Sequence, residues 1–256
     1  MRFKAIVAYD GTAYAGFQRQ KNAFTIQEEI EDVLERLMCV PIRVTAAGRT
    51  DAGVHAEGQV IAFEGAWRHP LTDLHRGMNA LLSDHIAIVH LSEVEADFHP
   101  RFDAIRRRYR YTIYQAPIPN PLVHRTSLHI ARALDREAMQ AAAGALVGRH
   151  DFAAFGSPPQ GHNTVREVYR AAWSWAEGTA YGRLGDLSEH TWLYFDIEAN
   201  AFLYRMVRML VGTMLRVSYG ALTPEEFADI LHTRDRSRAG PAIAACGLSL
   251  KAVQYE

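Results

Sequence analysis

The sequence has few cysteines, almost no net charge and no long apolar run. Its two cysteines, Cys39 and Cys246, cannot form a disulfide framework or a cysteine-based zinc site. The formal net charge is −1, so nucleic-acid binding would need a local basic patch. No apolar run approaches the roughly 20 residues of a membrane helix, and no signal peptide precedes the first strand-like segment. We therefore expect a soluble, cytoplasmic protein without a membrane segment.

Several common catalytic motifs are absent as well. The 12 histidines show no metal-ligand spacing such as HExxH, so we expect no histidine metal site. Ser157, His150 and Asp151 could suggest a hydrolase triad, but no GxSxG sequence accompanies them. The chain also has no Walker loop and no dinucleotide fingerprint, which disfavours ATP and NAD as cofactors.

Apolar periodicity predicts the same order of elements in both halves of the chain. In the first half it predicts strands over 3–9, 42–46, 59–63 and 86–94, and helices after the Thr25–Glu28 capping box and over 73–82. In the second half it predicts strands over 109–114, 166–175, 191–199 and 248–254, helices over 135–146, 203–217 and 223–231, and a turn-rich connection at Gly178, Gly182 and Gly185. The order β-α-β-β-α-β is that of the ferredoxin-like unit. We predict an α+β protein with two such domains, residues 1–105 and 106–256.

The loop 47–55, Ala-Gly-Arg-Thr-Asp-Ala-Gly-Val-His, sets one carboxylate among small residues. The small neighbours of Asp51 would let a ligand approach the backbone closely. Arg49 could keep the Asp51 carboxylate ionised, and such a carboxylate can act as a nucleophile or a base. The alternative is an ordinary turn in which Asp51 caps loop amides and Arg49 is solvated.

Arginines and aromatic rings alternate over residues 101–111. The run contains Arg101, Arg106, Arg107, Arg108 and Arg110, interleaved with Phe102, Tyr109 and Tyr111. Guanidinium groups suit phosphates, and tyrosine faces can stack on a base. In a strand, Tyr109 and Tyr111 would share one face and Arg108 and Arg110 the other. The alternative is an edge strand with solvated arginines, whose tyrosines belong to the core.

Arg205 and Arg208 lie three residues apart at the start of the helix predicted over 203–217. At that spacing they would point the same way, among apolar neighbours. A buried arginine needs a partner, and a loop carboxylate would serve. The alternative is that both side chains extend to solvent.

Together these segments resemble the bacterial tRNA pseudouridine synthase A family over nearly the whole chain. The resemblance rests on the segments 9–20, 48–55, 107–111, 148–152, 200–203, 206–208 and 245–248. The most specific segment is Gly48-Arg49-Thr50-Asp51-Ala52-Gly53-Val54-His55. Phe17 stands where the family usually has tryptophan, and Arg149 where a small residue is common; neither is a presumed catalytic position.

The resemblance implies two ferredoxin-like halves with joined antiparallel sheets and a central cleft. It implies isomerisation of uridine to pseudouridine in the tRNA anticodon arm, at positions 38, 39 and 40, with no cofactor and no metal. By resemblance Asp51 is the nucleophile and Tyr109 contacts the target base, with Tyr111 as the alternative tyrosine. The enzyme would be a homodimer whose subunits share one tRNA.

In this interpretation the carboxylate attacks C6 of uracil, attacks C1′, or removes a ribose proton to give a glycal. Each route needs the base taken out of its stack. Arg49 would bind phosphate and hold the displaced nucleotide, Arg208 would pair with Asp51, and Arg205 would line the cleft or its rim. The rival hypotheses are an RNA-binding module that does not need Asp51, and an aspartate-nucleophile hydrolase, which would want an acidic cluster for magnesium. Burial of the Asp51 loop would favour the synthase over the module.

Overall fold

The computed structural model describes residues 1–158, 161–177 and 190–256. The strands are β1 (Arg2–Tyr9), β2 (Thr45–Ala46), β3 (His55–Glu64), β4 (Ile86–Val94), β5 (Arg106–Gln115), β6 (Leu128–Ile130), β7 (Gly148–Asp151), β8 (Val165–Glu177), β9 (Thr191–Ala199) and β10 (Leu248–Gln254). The α-helices are α1 (Ile26–Met38), α2 (Leu71–Leu81), α3 (Arg136–Gly144), α4 (Met206–Ser218) and α5 (Pro224–Thr233). The predicted α+β class is confirmed. Gly178, Gly182 and Gly185, predicted as a turn-rich connection, lie outside the described residues.

The chain divides into two compact units. The first comprises Met1–Arg107 and Ser249–Glu256, and the second comprises Arg108–Leu248. The division in the middle of the chain falls two residues after the predicted boundary. The last strand was predicted with the second half, but Ser249–Glu256 group with the first, where β10 pairs in parallel with β3.

The first unit follows the order β-α-β-β-α-β over β1 to β4 and builds its sheet in the order β4-β1-β3-β10. β1 is antiparallel to both β3 and β4, and β2 adds a short antiparallel pairing to β3. Alternate side chains of β1 enter the core, where they meet the apolar face of α1. The buried residues of these two elements include Phe3, Ala5, Val7, Tyr9, Ile26, Ile30 and Leu34.

The second unit has the strand order β5-β9-β8-β7, with β6 paired in parallel to β5. β8 runs antiparallel to β7 and to β9. Helix α3 packs on β8 and against α4 and α5, and most of α4 is buried because its sequence is apolar almost all round. None of the helices in the described ranges is both long and apolar enough to cross a membrane.

A strand and a helix are shorter than predicted, each because of a hydrogen bond to a residue elsewhere in the chain. The strand predicted over 42–46 pairs only at Thr45–Ala46, because the amide of Val44 donates to the Glu31 carboxylate (3.1 Å) and not to a strand. The helix predicted over 203–217 begins at Met206. Before it, the Tyr204 amide donates to the Ser157 carbonyl (2.9 Å), which holds this segment outside the helix. The short strands β6 and β7 were not predicted.

Candidate active site

The loop that carries Asp51 joins β2 to β3 and is partly buried. Ala47, Thr50 and Val54 are buried, Asp51 is half-buried and Arg49 is exposed. The Val54 amide donates to the Asp51 carbonyl (3.1 Å), which closes a tight turn around Asp51. Because the Asp51 loop is packed into the first unit, it differs from the solvated loop expected of the rival binding module.

Two glycines let a second loop press against the Asp51 loop. A Cβ on Gly11 would lie 2.0 Å from the Val54 carbonyl oxygen, and one on Gly16 would lie 2.8 Å from the Thr50 carbonyl oxygen. Gly16 also has φ +102°, a conformation that side chains rarely adopt. The Phe17 amide donates to the same Thr50 carbonyl (3.1 Å). The backbone on both sides of Asp51 is therefore held by direct backbone packing that only glycine permits.

A buried polar network supports the loop from the core side. The Tyr9 hydroxyl lies 2.8 Å from Thr50 Oγ1, and Gln59 Nε2 donates to the Gly48 carbonyl (3.0 Å). Gln59 has no exposed surface and Tyr9 is 4% exposed, so these bonds are shielded from water. Burial raises the pKa of Tyr9 to about 12, and hydrogen bonds from Thr50 and Gln59 only partly offset this effect. Tyr9 is therefore a neutral hydrogen-bonding group at physiological pH.

A histidine and an aspartate fix the far end of the loop. His55 is buried, and its Nδ1 accepts from the Gly11 amide (3.2 Å) and lies 3.2 Å from Asp10 Oδ1. Partial burial alone would raise the pKa of Asp10. Hydrogen bonds from the hydroxyl and amide of Thr12, and the nearby His55 and His85, outweigh it and lower that pKa. The Asp10 side chain is thus an ionised cap for the turn that holds Val54.

Arg107 ties the Asp51 loop to the turn before β5. Its guanidinium donates to the carbonyl of Ala47 (3.3 Å), and also to those of Arg101 (2.6 Å) and Ala104 (2.8 Å). The basic run predicts that Arg107 binds phosphate. These three bonds instead give its side chain a structural role in the first unit.

In the second unit the two candidate tyrosines have different environments. Tyr109 is half-buried and stands edge-on to Phe202, with the ring centroids 5.0 Å apart. Tyr111 has no exposed surface, and its hydroxyl donates to the Ala244 carbonyl (2.7 Å). Burial raises the pKa of Tyr111 above its ordinary value. Tyr111 is therefore a core residue, which leaves Tyr109 as the candidate for the predicted contact with the base.

Arg205 and Arg208 do not share a helix face. Arg205 precedes α4 in a left-handed conformation (φ +61°), and its exposed side chain lies over the Tyr204 ring at 4.8 Å. Arg208 is within α4 and half-buried, and its Nε donates to the Ile243 carbonyl (2.7 Å). The spacing of three residues does not place both side chains on one helix face, because the helix begins one residue after Arg205.

The arginines of β5 also differ among themselves. Arg110 makes a two-pronged bond to the Asp196 carboxylate (3.0 and 2.8 Å) and lies over the Tyr194 ring. Arg108 is exposed. The basic run thus contributes both to the second unit's own structure and to its surface.

The residues that support the Asp51 loop were not predicted from the sequence; they are Tyr9, Gln59 and Asp10. A signal was present for two of them, because a polar tip at a core-facing strand position needs a partner, and Tyr9 and Gln59 occupy such positions. Over the part of the chain that the structure describes, no three histidine, cysteine or acidic side chains gather in a way that could hold a metal ion.

Comparison with known proteins identifies the family. A family model described as "tRNA pseudouridine synthase" matches residues 5–103 and 142–256. A protein named tRNA pseudouridine synthase A from Chloroflexus aurantiacus is 45% identical over 253 residues, covering 98% of this chain and 87% of its own length. Proteins of the same name from Brevibacillus brevis (41% identical, 99% of both chains) and Streptococcus thermophilus (39%, 100% of both) are also similar. The resemblance noted in the sequence is confirmed: the chain belongs to the tRNA pseudouridine synthase family and is an isomerase.

Proposed function

We propose that this enzyme converts uridine to pseudouridine at positions 38, 39 and 40 of the tRNA anticodon arm, with Asp51 as the nucleophile and without a cofactor. The observation that carries the proposal is the setting of Asp51. One half-buried carboxylate stands in a loop that Gly11, Gly16, Tyr9 and Gln59 hold from behind. A fixed carboxylate with partial access to solvent can reach a reacting atom without rearranging.

The reaction needs such a group because uracil must leave the ribose and return in a new orientation. The C1′–N1 bond breaks, a C1′–C5 bond forms, the hydrogen on C5 leaves to water as a proton, and N1 takes up a proton. Asp51 can begin this exchange by attack on C6, by attack on C1′ or by removal of a ribose proton. In each case the uridine must first leave the base stack.

Aromatic and basic side chains would hold the displaced nucleotide. We assign the face of Tyr109 to the uracil ring, because Tyr109 packs edge-on against Phe202 and remains half-exposed. Three arginines would bind phosphates or balance the negative charge of the site: Arg49, Arg205 and Arg208. Arg49 and Arg205 are exposed and suited to phosphate. Arg208 is half-buried and suited to a carboxylate.

The same proposal includes a homodimer and a cytoplasmic location. An anticodon arm is a large ligand, and two subunits offer more basic surface than one. The enzyme would meet its tRNA substrate in the bacterial cytoplasm.

The position of modification is tested by mapping pseudouridine in unmodified tRNA transcripts after incubation with the enzyme. Carbodiimide adducts that stop reverse transcription at 38, 39 or 40 are the expected result. Replacing those uridines by cytidine should abolish the stops. Adducts in the T arm or D arm would contradict the assignment to the anticodon arm.

A further inference from the structure

The turn before β5 carries the most exposed large apolar side chain in the described ranges. Phe102 is 75% exposed, whereas Phe3, Phe17 and Phe63 of the same unit are buried. Leaving a phenyl ring in water forgoes the stabilisation that burial would bring. A ring kept in this position needs an explanation other than the stability of the isolated chain.

The turn is also unusually well fixed for an exposed segment. His99 Nδ1 accepts from the amides of Arg101 (3.1 Å) and Phe102 (3.3 Å), while the His99 amide donates to Asp103 Oδ2 (2.7 Å). The Tyr255 hydroxyl donates to the Pro100 carbonyl (2.7 Å). These bonds fix the backbone on both sides of Phe102.

This turn is linked directly to the Asp51 loop. The same nitrogen of Arg107, Nη2, donates to the carbonyl of Arg101 in the turn and to the carbonyl of Ala47 in the loop. Both carbonyls lie within 3.3 Å of one nitrogen, so the turn that carries Phe102 is close to the start of the loop that carries Asp51.

The surroundings of the ring suit a nucleotide base. The His99 ring packs against Phe102 at 4.2 Å between centroids and 31° between planes, and Arg101 lies at 5.8 Å from its centroid. Arg101 beside the ring offers a guanidinium group that can bind a phosphate of the RNA backbone. Exposed rings beside arginines are the usual platforms for unpaired bases.

We propose that Phe102 is a stacking site for an unpaired base of the RNA substrate, adjacent to the uridine that Asp51 attacks. The inference rests on the proposed function and extends it, because it assigns a binding role to a residue outside the Asp51 loop. The ligand is a base of the anticodon loop, held on the ring against which His99 packs.

The test measures binding of an anticodon stem-loop that carries a fluorescent aminopurine in the loop. Phe102→Ala should weaken binding about 5- to 100-fold and reduce quenching of the aminopurine. Phe102→Leu, which keeps apolar bulk but lacks a π face, should behave like the alanine variant. Phe102→Trp should restore both affinity and quenching. Trp175→Ala serves as the control, since Trp175 is 45% exposed on β8 of the other unit.

An unchanged affinity for the stem-loop in Phe102→Ala would overturn the inference. If the molar mass of the assembly in ultracentrifugation also changed, Phe102 would be a contact between subunits. Because the ring is exposed, none of the variants should unfold, and thermal melting checks this. Failure of the proposed function is distinct: the wild-type enzyme would then form no pseudouridine in the anticodon arm, whatever Phe102 binds.

Discussion

The Tyr9 hydroxyl lies 2.8 Å from the Thr50 hydroxyl, on the core side of the residue that precedes Asp51. Tyr9 belongs to the first strand and Thr50 to the loop before β3, so this bond links strand β1 to the loop that carries Asp51. Burial keeps the pKa of Tyr9 at about 12, which means that the bond persists unchanged through neutral pH.

Tyr9→Phe should remove this bond while keeping the ring against Phe17, with which it packs at 6.1 Å. We expect a loss of about 1–2 kcal/mol in the free energy of unfolding, because Thr50 loses a buried partner. Turnover should fall because the Asp51 loop would be less firmly positioned. The affinity for tRNA should stay unchanged because no charge is removed. Denaturant titration and single-turnover kinetics measure the two effects. Wild-type turnover by the variant would mean that the bond does not position Asp51.

Glu31→Gln should change how stability depends on pH. The buried Glu31 carboxylate accepts from Gln27, the Val44 amide, Arg43 and Arg19. Burial alone would raise its pKa, but these four bonds outweigh it and lower the pKa below its ordinary value. The ionised group therefore stabilises the fold above the ordinary glutamate pKa, and that contribution is lost as pH falls through the lowered value.

At neutral pH we expect Glu31→Gln to cost about 1–3 kcal/mol of stability. The difference from the wild type should shrink as pH falls through the lowered pKa. Denaturant midpoints of both proteins over a pH series test this. A gap that stayed constant, or widened towards acid, would contradict the assignment.

Arg108 and Arg110 offer a matched pair for the electrostatics of binding. Both are arginines of β5, but Arg108 is exposed and Arg110 bonds to Asp196. Arg108→Ala should weaken tRNA binding and reduce the slope of log affinity against log salt by about 0.7 per phosphate contact. Arg110→Ala should mainly lower the melting temperature. Equal salt slopes for the wild type and Arg108→Ala would show that Arg108 makes no phosphate contact in the complex.

Tyr109→Phe tests whether Tyr109 acts through its ring or its hydroxyl. The variant keeps the edge-on packing with Phe202 and the face offered to the base. If the hydroxyl carries a proton, turnover should fall by about 10²–10⁴-fold with tRNA affinity retained. Full activity would exclude an essential hydroxyl and leave stacking as its role, while Tyr109→Ala should impair both.

Much of the fold follows from local sequence signals. The apolar periodicity and the Thr25 cap predicted α1, and Thr223 with Pro224 predicted the start of α5. These features depend on neighbours within a turn or two of the chain. The α4 start could not be predicted in the same way, because it depends on the bond from Tyr204 to Ser157, which are far apart in sequence.

The candidate site divides along the same line. The segment around Asp51 stood out because its residue types are rare together, whereas the support from Tyr9 and Gln59 depends on the register between strands. The same limit explains the tyrosines. Alternation places Tyr109 and Tyr111 on one face, but only the tertiary contact with Ala244 distinguishes the core residue from the accessible one.

The most direct test of the account is the release of tritium from tRNA transcripts labelled at uridine C5. Wild-type enzyme and Asp51→Asn are incubated with the transcript without nucleotide or added metal, and tritium in water is counted. The account predicts release by the wild type only, with both proteins binding tRNA with similar affinity. Substantial release by Asp51→Asn would contradict the role of Asp51 as nucleophile, and tight binding without release by either protein would favour an RNA-binding module.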